Sequence, residues 1–132
     1  MKNLLAVFVL VIAITASCTD DGTDAVRERV GVDVVESIIP TEAQVKEVIQ
    51  IYVTAQATNG CYSDLKTTLT EMGESKRFLI KATGLFVSRG ACPDVLVSKD
   101  FVINFTPESP GEYTFQVNEA PFKVREYTLN VK

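Results

Sequence analysis

The fold is decided by one stretch of the chain, residues 105–115, which reads FTPESPGEYTF. Pro107 and Pro110 lie three residues apart and Gly111 follows Pro110 directly, and this composition predicts a tight corner between two strands. Apolar residues alternate with polar ones on both sides of the corner, which is typical of half-buried β-strands. Tyr113 begins the second strand, where its ring can be buried while its hydroxyl group bonds back to the corner backbone.

The same alternation recurs along the rest of the chain and predicts about seven short strands, with no helix after the N-terminal region. We therefore expect an all-β domain, an antiparallel β-sandwich of two sheets, with a small barrel as the alternative. Phe122 and Val124 have the opposite parity to the last strand, which predicts a bulge at Arg125-Glu126 or a separate short strand. The main predicted strands are 34–39, 49–57, 65–69, 77–87, 101–105, 113–117 and 127–131.

The N-terminal residues predict a secretory signal peptide. Lys2 supplies a positive start, and the apolar run 4–15 is too short to span a bilayer as a helix. Small residues then lead to Cys18. We predict three regions: a signal peptide over 1–17, a flexible tether over 18–32 and one β-domain over 33–132. Within the tether, the valines Val26, Val30 and Val34 have helical spacing, so a short helix is an open alternative there.

Composition excludes several kinds of function. The formal net charge is −4, which argues against nucleic acid as a partner and against electrostatic docking to anionic lipid. The chain has no histidine, which excludes Ser-His-Asp and Cys-His nucleophilic sites and histidine metal sites. Four acids lack the regular spacing of a calcium loop, so we predict no metal site and no cofactor. These acids are Asp94, Asp100, Glu108 and Glu112.

Three stretches resemble known families. The small residues before Cys18 resemble the lipobox of bacterial lipoproteins, which implies that Cys18 becomes the lipid-bearing N-terminus after cleavage. Asp20 and Asp21 resemble the surface-export signal of Bacteroidota lipoproteins. The corner at 105–115 resembles the E–F corner of immunoglobulin-like domains. As a whole, the chain is similar to small Bacteroidota lipoproteins with a single immunoglobulin-like domain, which implies an outer-membrane lipoprotein whose domain faces the cell surface or the periplasm.

If Cys18 carries lipid, Cys61 and Cys92 are the two cysteines left with free thiols. An even number of cysteines in an oxidising compartment predicts a disulfide between them. Such a bond contributes about 3–4 kcal/mol in the chain-entropy model. A redox or metal pair is the alternative, although the Cys-x-x-Cys spacing of such sites is absent.

The sequence contains no catalytic constellation, so the leading hypothesis is a non-enzymatic binding or accessory module of the cell envelope. Its ligand, a protein or a glycan, would meet loops at one end of the domain or an exposed sheet edge. A second hypothesis is an inhibitor that presents residues 84–95 to an envelope protease. A third is a hydrolase that uses Asp and Glu carboxylates.

Overall fold

The structure is a computed structural model, which describes residues 25–73, 75–119 and 123–132. These residues form eight strands and no helix, so the predicted all-β class is confirmed. The predicted signal peptide, Cys18 and the first part of the tether lie outside the described residues. The strands are β1 (Val26–Ile38), β2 (Glu42–Ala43), β3 (Ile49–Ala57), β4 (Tyr62–Glu71), β5 (Arg77–Ser88), β6 (Val97–Phe105), β7 (Gly111–Glu119) and β8 (Lys123–Val131).

The strand β3 shows why this sequence folds as it does. Its residues alternate strictly, with Ile49, Ile51 and Val53 buried and Gln50 and Tyr52 exposed. Because successive side chains of a strand point to opposite faces, this alternation turns one face of β3 to the core and the other to solvent. The strand β7 has the same alternation from Tyr113 to Glu119.

All eight strands belong to one mixed, hydrogen-bonded sheet in the order β2-β8-β7-β5-β1-β3-β6, with β4 on the other side of β5. The first half of β1 pairs with β5, and its second half pairs with β3. This exchange of neighbours curls the sheet, so that β4 and β6, which share no hydrogen bonds, come into contact. Most pairs are antiparallel as predicted, whereas β5–β7, β2–β8 and a single bridge of β1–β7 are parallel.

The core lies inside the curl and is almost wholly aliphatic and aromatic. Burial of each large side chain stabilises the fold by about 1.5–3 kcal/mol before the cost of ordering the chain. One end of the core is an aromatic cluster in which the Phe78 ring packs at 4.9 Å from Phe105 and 5.6 Å from Phe115. The largest fully buried side chains are Phe115, Ile51, Ile80, Leu129, Val34, Val53, Val117 and Pro107.

The predicted boundary between tether and domain at residue 33 is wrong, as is the alternative of a short helix. The strand β1 begins at Val26, and residues 26–32 pair in unbroken register with residues 82–88 of β5. The helical spacing of the valines is a local pattern, and long-range pairing with β5 overrides it. The domain therefore begins seven residues earlier than predicted.

The sheet has its irregularities at other places than the sequence predicts. The pairing of β7 with β8 is unbroken from Lys123 to Val131, so the predicted bulge at Arg125-Glu126 is absent there. Val124 is exposed and belongs to β8 itself, so it forms no separate short strand, and Phe122 lies outside the described residues. The register shifts lie between Val34 and Glu36 in β1 and between Ser63 and Lys66 in β4.

The two ends of the domain differ in content. At one end Val26 pairs with Ser88, so the chain enters β1 beside the last residue of β5. At the other end Glu71 pairs with Phe78, whose ring packs on Phe105 just before the proline-rich corner. We call these the tether end and the corner end.

Candidate binding surface

A disulfide at the tether end joins Cys61 to Cys92, with the two Cα atoms 5.3 Å apart, and confirms the predicted pair. The backbone around it is also fixed: the Gly60 amide donates to the Pro93 carbonyl at 2.8 Å, and the Val87 amide donates to the Cys61 carbonyl at 2.9 Å. The chain passes close to Gly60 here, since a Cβ atom on it would lie 2.9 Å from a methyl group of Val95 and 3.1 Å from Pro93. The tether end is thus a cross-linked structural element.

The loop proposed for protease inhibition, residues 84–95, is not a single loop. Residues 84–88 belong to β5, where each pairs with a residue of β1. A Cβ atom on Gly84 would lie 2.8 Å from Leu65, so β5 is closely packed at the point where the loop was expected to begin. Only residues 89–96 connect β5 to β6, and the disulfide holds their middle.

The corner has the geometry that the sequence predicts. Tyr113 is 4% exposed, and its hydroxyl group donates to the Ser109 carbonyl at 3.0 Å and accepts from the Ser109 amide at 3.2 Å. Pro107 is fully buried. Gly111 has φ +125°, a backbone conformation that residues with a side chain rarely adopt. Pro110 offers its carbonyl oxygen to the Lys76 ammonium group at 2.7 Å.

A cleft of about 340 Å³ opens beside the corner, over the rings of Phe78, Phe105 and Tyr113. Its cationic group is already engaged, since Lys76 Nζ bonds to Pro110 and lies 5.6 Å from the centre of the Tyr113 ring. Lys76 itself has φ +67°, and its carbonyl accepts a hydrogen bond from Thr114 at 2.8 Å. These contacts stabilise the corner, so the groups that line the cleft serve mainly the fold and not a ligand.

The outer face of β1, β3 and β6 carries three exposed apolar side chains in one line. Ile38 pairs with Tyr52, and Tyr52 pairs with Val102, so the three lie side by side on neighbouring strands. Their exposed fractions are 57%, 45% and 52%. We call them the apolar row, and they border a shallow groove of about 270 Å³. Their contiguity distinguishes them from the scattered apolar residues found on any protein surface.

Polar and acidic groups flank the apolar row. On one side Thr54 donates a hydrogen bond to Asp100 at 2.8 Å, and Glu36 is the neighbour of Thr54 on β1. On the other side the Tyr52 hydroxyl donates to Gln50 at 2.6 Å. An aromatic and aliphatic strip between carboxylate and amide groups can contact the apolar face of a ligand and accept its hydrogen bonds.

A second cluster joins β1, β7 and β8. The Glu119 side chain, 10% exposed, accepts hydrogen bonds from Ser37 at 3.2 Å and Tyr127 at 3.1 Å, and pairs with Arg125 at 3.0 Å. The hydrogen bond to Tyr127, followed by the charge of Glu119, raises the pKa of Arg125. The cluster buries a carboxylate with its partners and stabilises the contact of three strands. Within residues 25–73, 75–119 and 123–132, no three acids or cysteines are placed to hold a metal ion.

Alternation along the sequence could have placed Tyr52 and Val102 on outward faces, but the apolar row exists only through the register of three strands.

Among the residues that the structure describes, there is no helix long and apolar enough to cross a membrane. Comparisons of the chain with models of protein families, with curated proteins and with solved structures find no match. Function is therefore inferred from the surface itself.

Proposed function

We propose that this protein is a non-enzymatic lipoprotein of the bacterial cell envelope, anchored to the outer membrane through Cys18. Its single β-domain binds a protein or glycan ligand. The observation that carries the binding proposal is the apolar row, Ile38, Tyr52 and Val102, in register on an outer sheet face.

The composition of this face suits recognition. Large apolar side chains that lie exposed side by side contribute little to stability in the free protein. A ligand that covers them removes their apolar surface from water, which favours binding. Tyr52 offers a broad ring with little conformational freedom, which is why tyrosine is common in binding surfaces. Thr54, Asp100 and Gln50 form hydrogen bonds beside it and supply the groups that set orientation.

The position of the tether is compatible with binding. The chain enters at Val26, and residues 18–25 span at most about 27 Å when extended. The apolar row lies on a sheet face and not at the tether end. An anchored domain therefore keeps this face accessible.

The anchor is tested by Cys18→Ser in the full chain. We expect the precursor to remain uncleaved and without lipid, whereas the wild-type protein carries acyl mass at its N-terminus. Detergent partitioning reports the presence of lipid, and the intact mass reports both cleavage and acylation. A wild-type protein that is cleaved but carries no acyl mass would refute the anchor.

The binding surface is tested with Tyr52→Ala and, as a matched surface control, Val124→Ala on β8, since both side chains are exposed. The full chain in detergent is passed over immobilised envelope polysaccharides and over separated envelope proteins. We expect at least one component to be retained by the wild type and the control, and to bind Tyr52→Ala at least about tenfold more weakly, which corresponds to 1.4 kcal/mol. If every retained component binds Tyr52→Ala equally, or if none is retained, this face is not the binding surface.

A further inference from the structure

One strand of the sheet has an edge ready for pairing. The strand β6 pairs with β3 over nine residues, from Ala57–Val97 to Ile49–Phe105, without a register shift. Among the described residues no strand pairs with its other side, and neither proline nor a bulge interrupts it. A regular edge with exposed apolar side chains is a template for another strand.

We propose that this edge pairs with the β6 strand of a second copy of the chain, antiparallel and centred on Val102. Pairing at this edge rests on the membrane anchor of the proposed function, which concentrates the copies, but it does not depend on the proposed ligand. The choice of a second copy follows from the residues that would then face each other.

Symmetry restricts the possible registers. In an antiparallel pair related by a two-fold axis through the sheet, opposing residues lie on the same face, so the axis passes beside one residue of β6. Centring on Asp100 would place two carboxylates directly opposite each other, which is destabilising. Centring on Phe101 would place each Asp100 opposite a Val102, so the carboxylate would gain no hydrogen bond across the pair beyond the one that it accepts from Thr54 in its own chain.

Centring on Val102 avoids both faults. The two Val102 side chains then face each other, and each Asp100 lies opposite an Asn104, whose amide group can donate to the carboxylate. On the core side Phe101 lies opposite Ile103. Lys99, whose ammonium group lies 5.1 Å from its own Phe101 ring, comes opposite Phe105 and not opposite another cation.

This register also joins the two apolar rows. Ile38, Tyr52 and Val102 of one copy continue directly into Val102, Tyr52 and Ile38 of the other, because all three are in register within each copy. The result is one apolar row across six strands, twice the length of the row in a single copy. Acidic side chains flank it without facing each other.

A contact made by one pair of strands is small, so we expect a weak dimer that forms best where copies are concentrated in a membrane. The test therefore uses the full chain in isolated envelope membranes. Val102→Cys is compared with Ile38→Cys and Val124→Cys, which are also exposed positions, after mild oxidation and non-reducing electrophoresis.

The expected result follows from distance. Opposing residues of an antiparallel pair have Cβ atoms about 5 Å apart, within reach of a disulfide. The two Ile38 residues would be separated by five strand spacings, about 24 Å. Val102→Cys should therefore form at least about fivefold more covalent dimer than either control. Equal cross-linking of Val102→Cys and Val124→Cys would overturn the proposal, and equal cross-linking of Ile38→Cys would indicate contact between faces instead of edges.

The register has its own test. Asp100→Cys and Asn104→Cys, carried on chains with different tags and produced together, should form a mixed disulfide. Neither variant alone should form its own dimer efficiently, because each cysteine would lie about four residues along the strand from its copy. If Asp100→Cys alone cross-links as well as the mixture, the pairing is not centred on Val102.

Discussion

The strands β4 and β6 are both edges of the sheet, and neither has a described neighbour on its outer side. They differ in regularity. In β4 the register shifts between Ser63 and Lys66, and Asp64 has φ +45° and pairs with Arg29 and Lys66. In β6 the pairing is unbroken and Val102 is exposed. A bulge with a charge cluster blocks the approach of another strand, whereas a regular edge permits it.

Both edges carry charged side chains, but only β4 is interrupted by a register shift. The same sheet therefore contains one edge strand with a bulge near its start and one edge strand that is regular throughout. Since unprotected edges invite aggregation, a regular β6 is expected where pairing has a use. The next four predictions disturb the disulfide that precedes both edges, the packing beneath the β4 bulge, the corner that follows β6 and the charges at the bulge.

The largest effect is expected from the disulfide, because it links the segments that lead into both edge strands. Cys61 immediately precedes β4, and Cys92 lies in the connection to β6. Replacing both by alanine should cost about 3–4 kcal/mol for a separation of 31 residues. Thermal unfolding should show a decrease of more than about 10 °C in melting temperature.

Reductant provides the control for this prediction. It should lower the melting temperature of the wild-type protein and leave that of the double variant unchanged. A loss below about 1 kcal/mol would mean that hydrogen bonds at the tether end already restrict the same loop.

The next effect tests the packing beneath the β4 bulge. A Cβ atom on Gly84 would lie 2.8 Å from Leu65, 3.0 Å from Tyr62 and 3.2 Å from Val32. Gly84→Ala should cost about 1–3 kcal/mol through overpacking. Gly31→Ala is the matched control, since nothing lies within 4 Å of its Cβ position. Urea unfolding of both variants measures the difference in the free energy of unfolding. Equal values would show that the β4 bulge can shift to admit the methyl group without cost.

Beyond β6 the chain passes through the corner, and Tyr113→Phe tests how firmly it is held. The substitution removes the hydroxyl group that bonds to the Ser109 carbonyl and amide. We expect a loss of about 1 kcal/mol or more, because those groups lose their partner. Tyr52→Phe, which removes an exposed hydroxyl group from Gln50, should be nearly neutral. A neutral Tyr113→Phe in urea unfolding would contradict the assigned role of the corner.

The smallest effect concerns the charges at the β4 bulge. The hydrogen bond from Lys66, and then that from Arg29, lowers the pKa of Asp64 below its usual value. The ionised form therefore contributes to stability above the unfolded pKa of about 3.9, and this contribution is lost as the pH falls through the lower folded pKa. An NMR titration of the Asp64 carboxyl carbon should show the lowered pKa and its rise in Lys66→Gln. Lys132→Gln, which removes an ion pair with Glu42, should leave it unchanged.

Local patterns predicted much of this molecule. Alternation in β3 and β7 specified those strands because one face of each is buried and the other is solvated. The proline-rich corner and the cysteine pair were predictable because turn chemistry and disulfide formation depend on a few residues. The start of β1 was missed because only β5, whose paired residues lie 50 to 62 positions further along the chain, makes residues 26–32 a strand.

The candidate surface was not predictable for a related reason. Ile38, Tyr52 and Val102 are distant in sequence, and only the register of β1, β3 and β6 brings them together. The parallel pairing of β5 with β7 likewise depends on how the sheet curls and not on either strand alone. Single-strand patterns describe which face a residue occupies, whereas neighbours on that face are a property of the whole fold.

The shared strand β1 has a mechanical consequence for an anchored domain. Tension applied at Val26 along the strand acts against the pairing with β5 and, further along, against the pairing with β3. Hydrogen bonds loaded along the strand direction resist together, while bonds opened from one end of a hairpin break in succession. Force spectroscopy from the N-terminal side should therefore show a single high rupture force, and early peeling of β1 would contradict this. With the anchor and the ligand proposed above, such pairing would let the domain bear tension from the ligand without unfolding from its point of attachment.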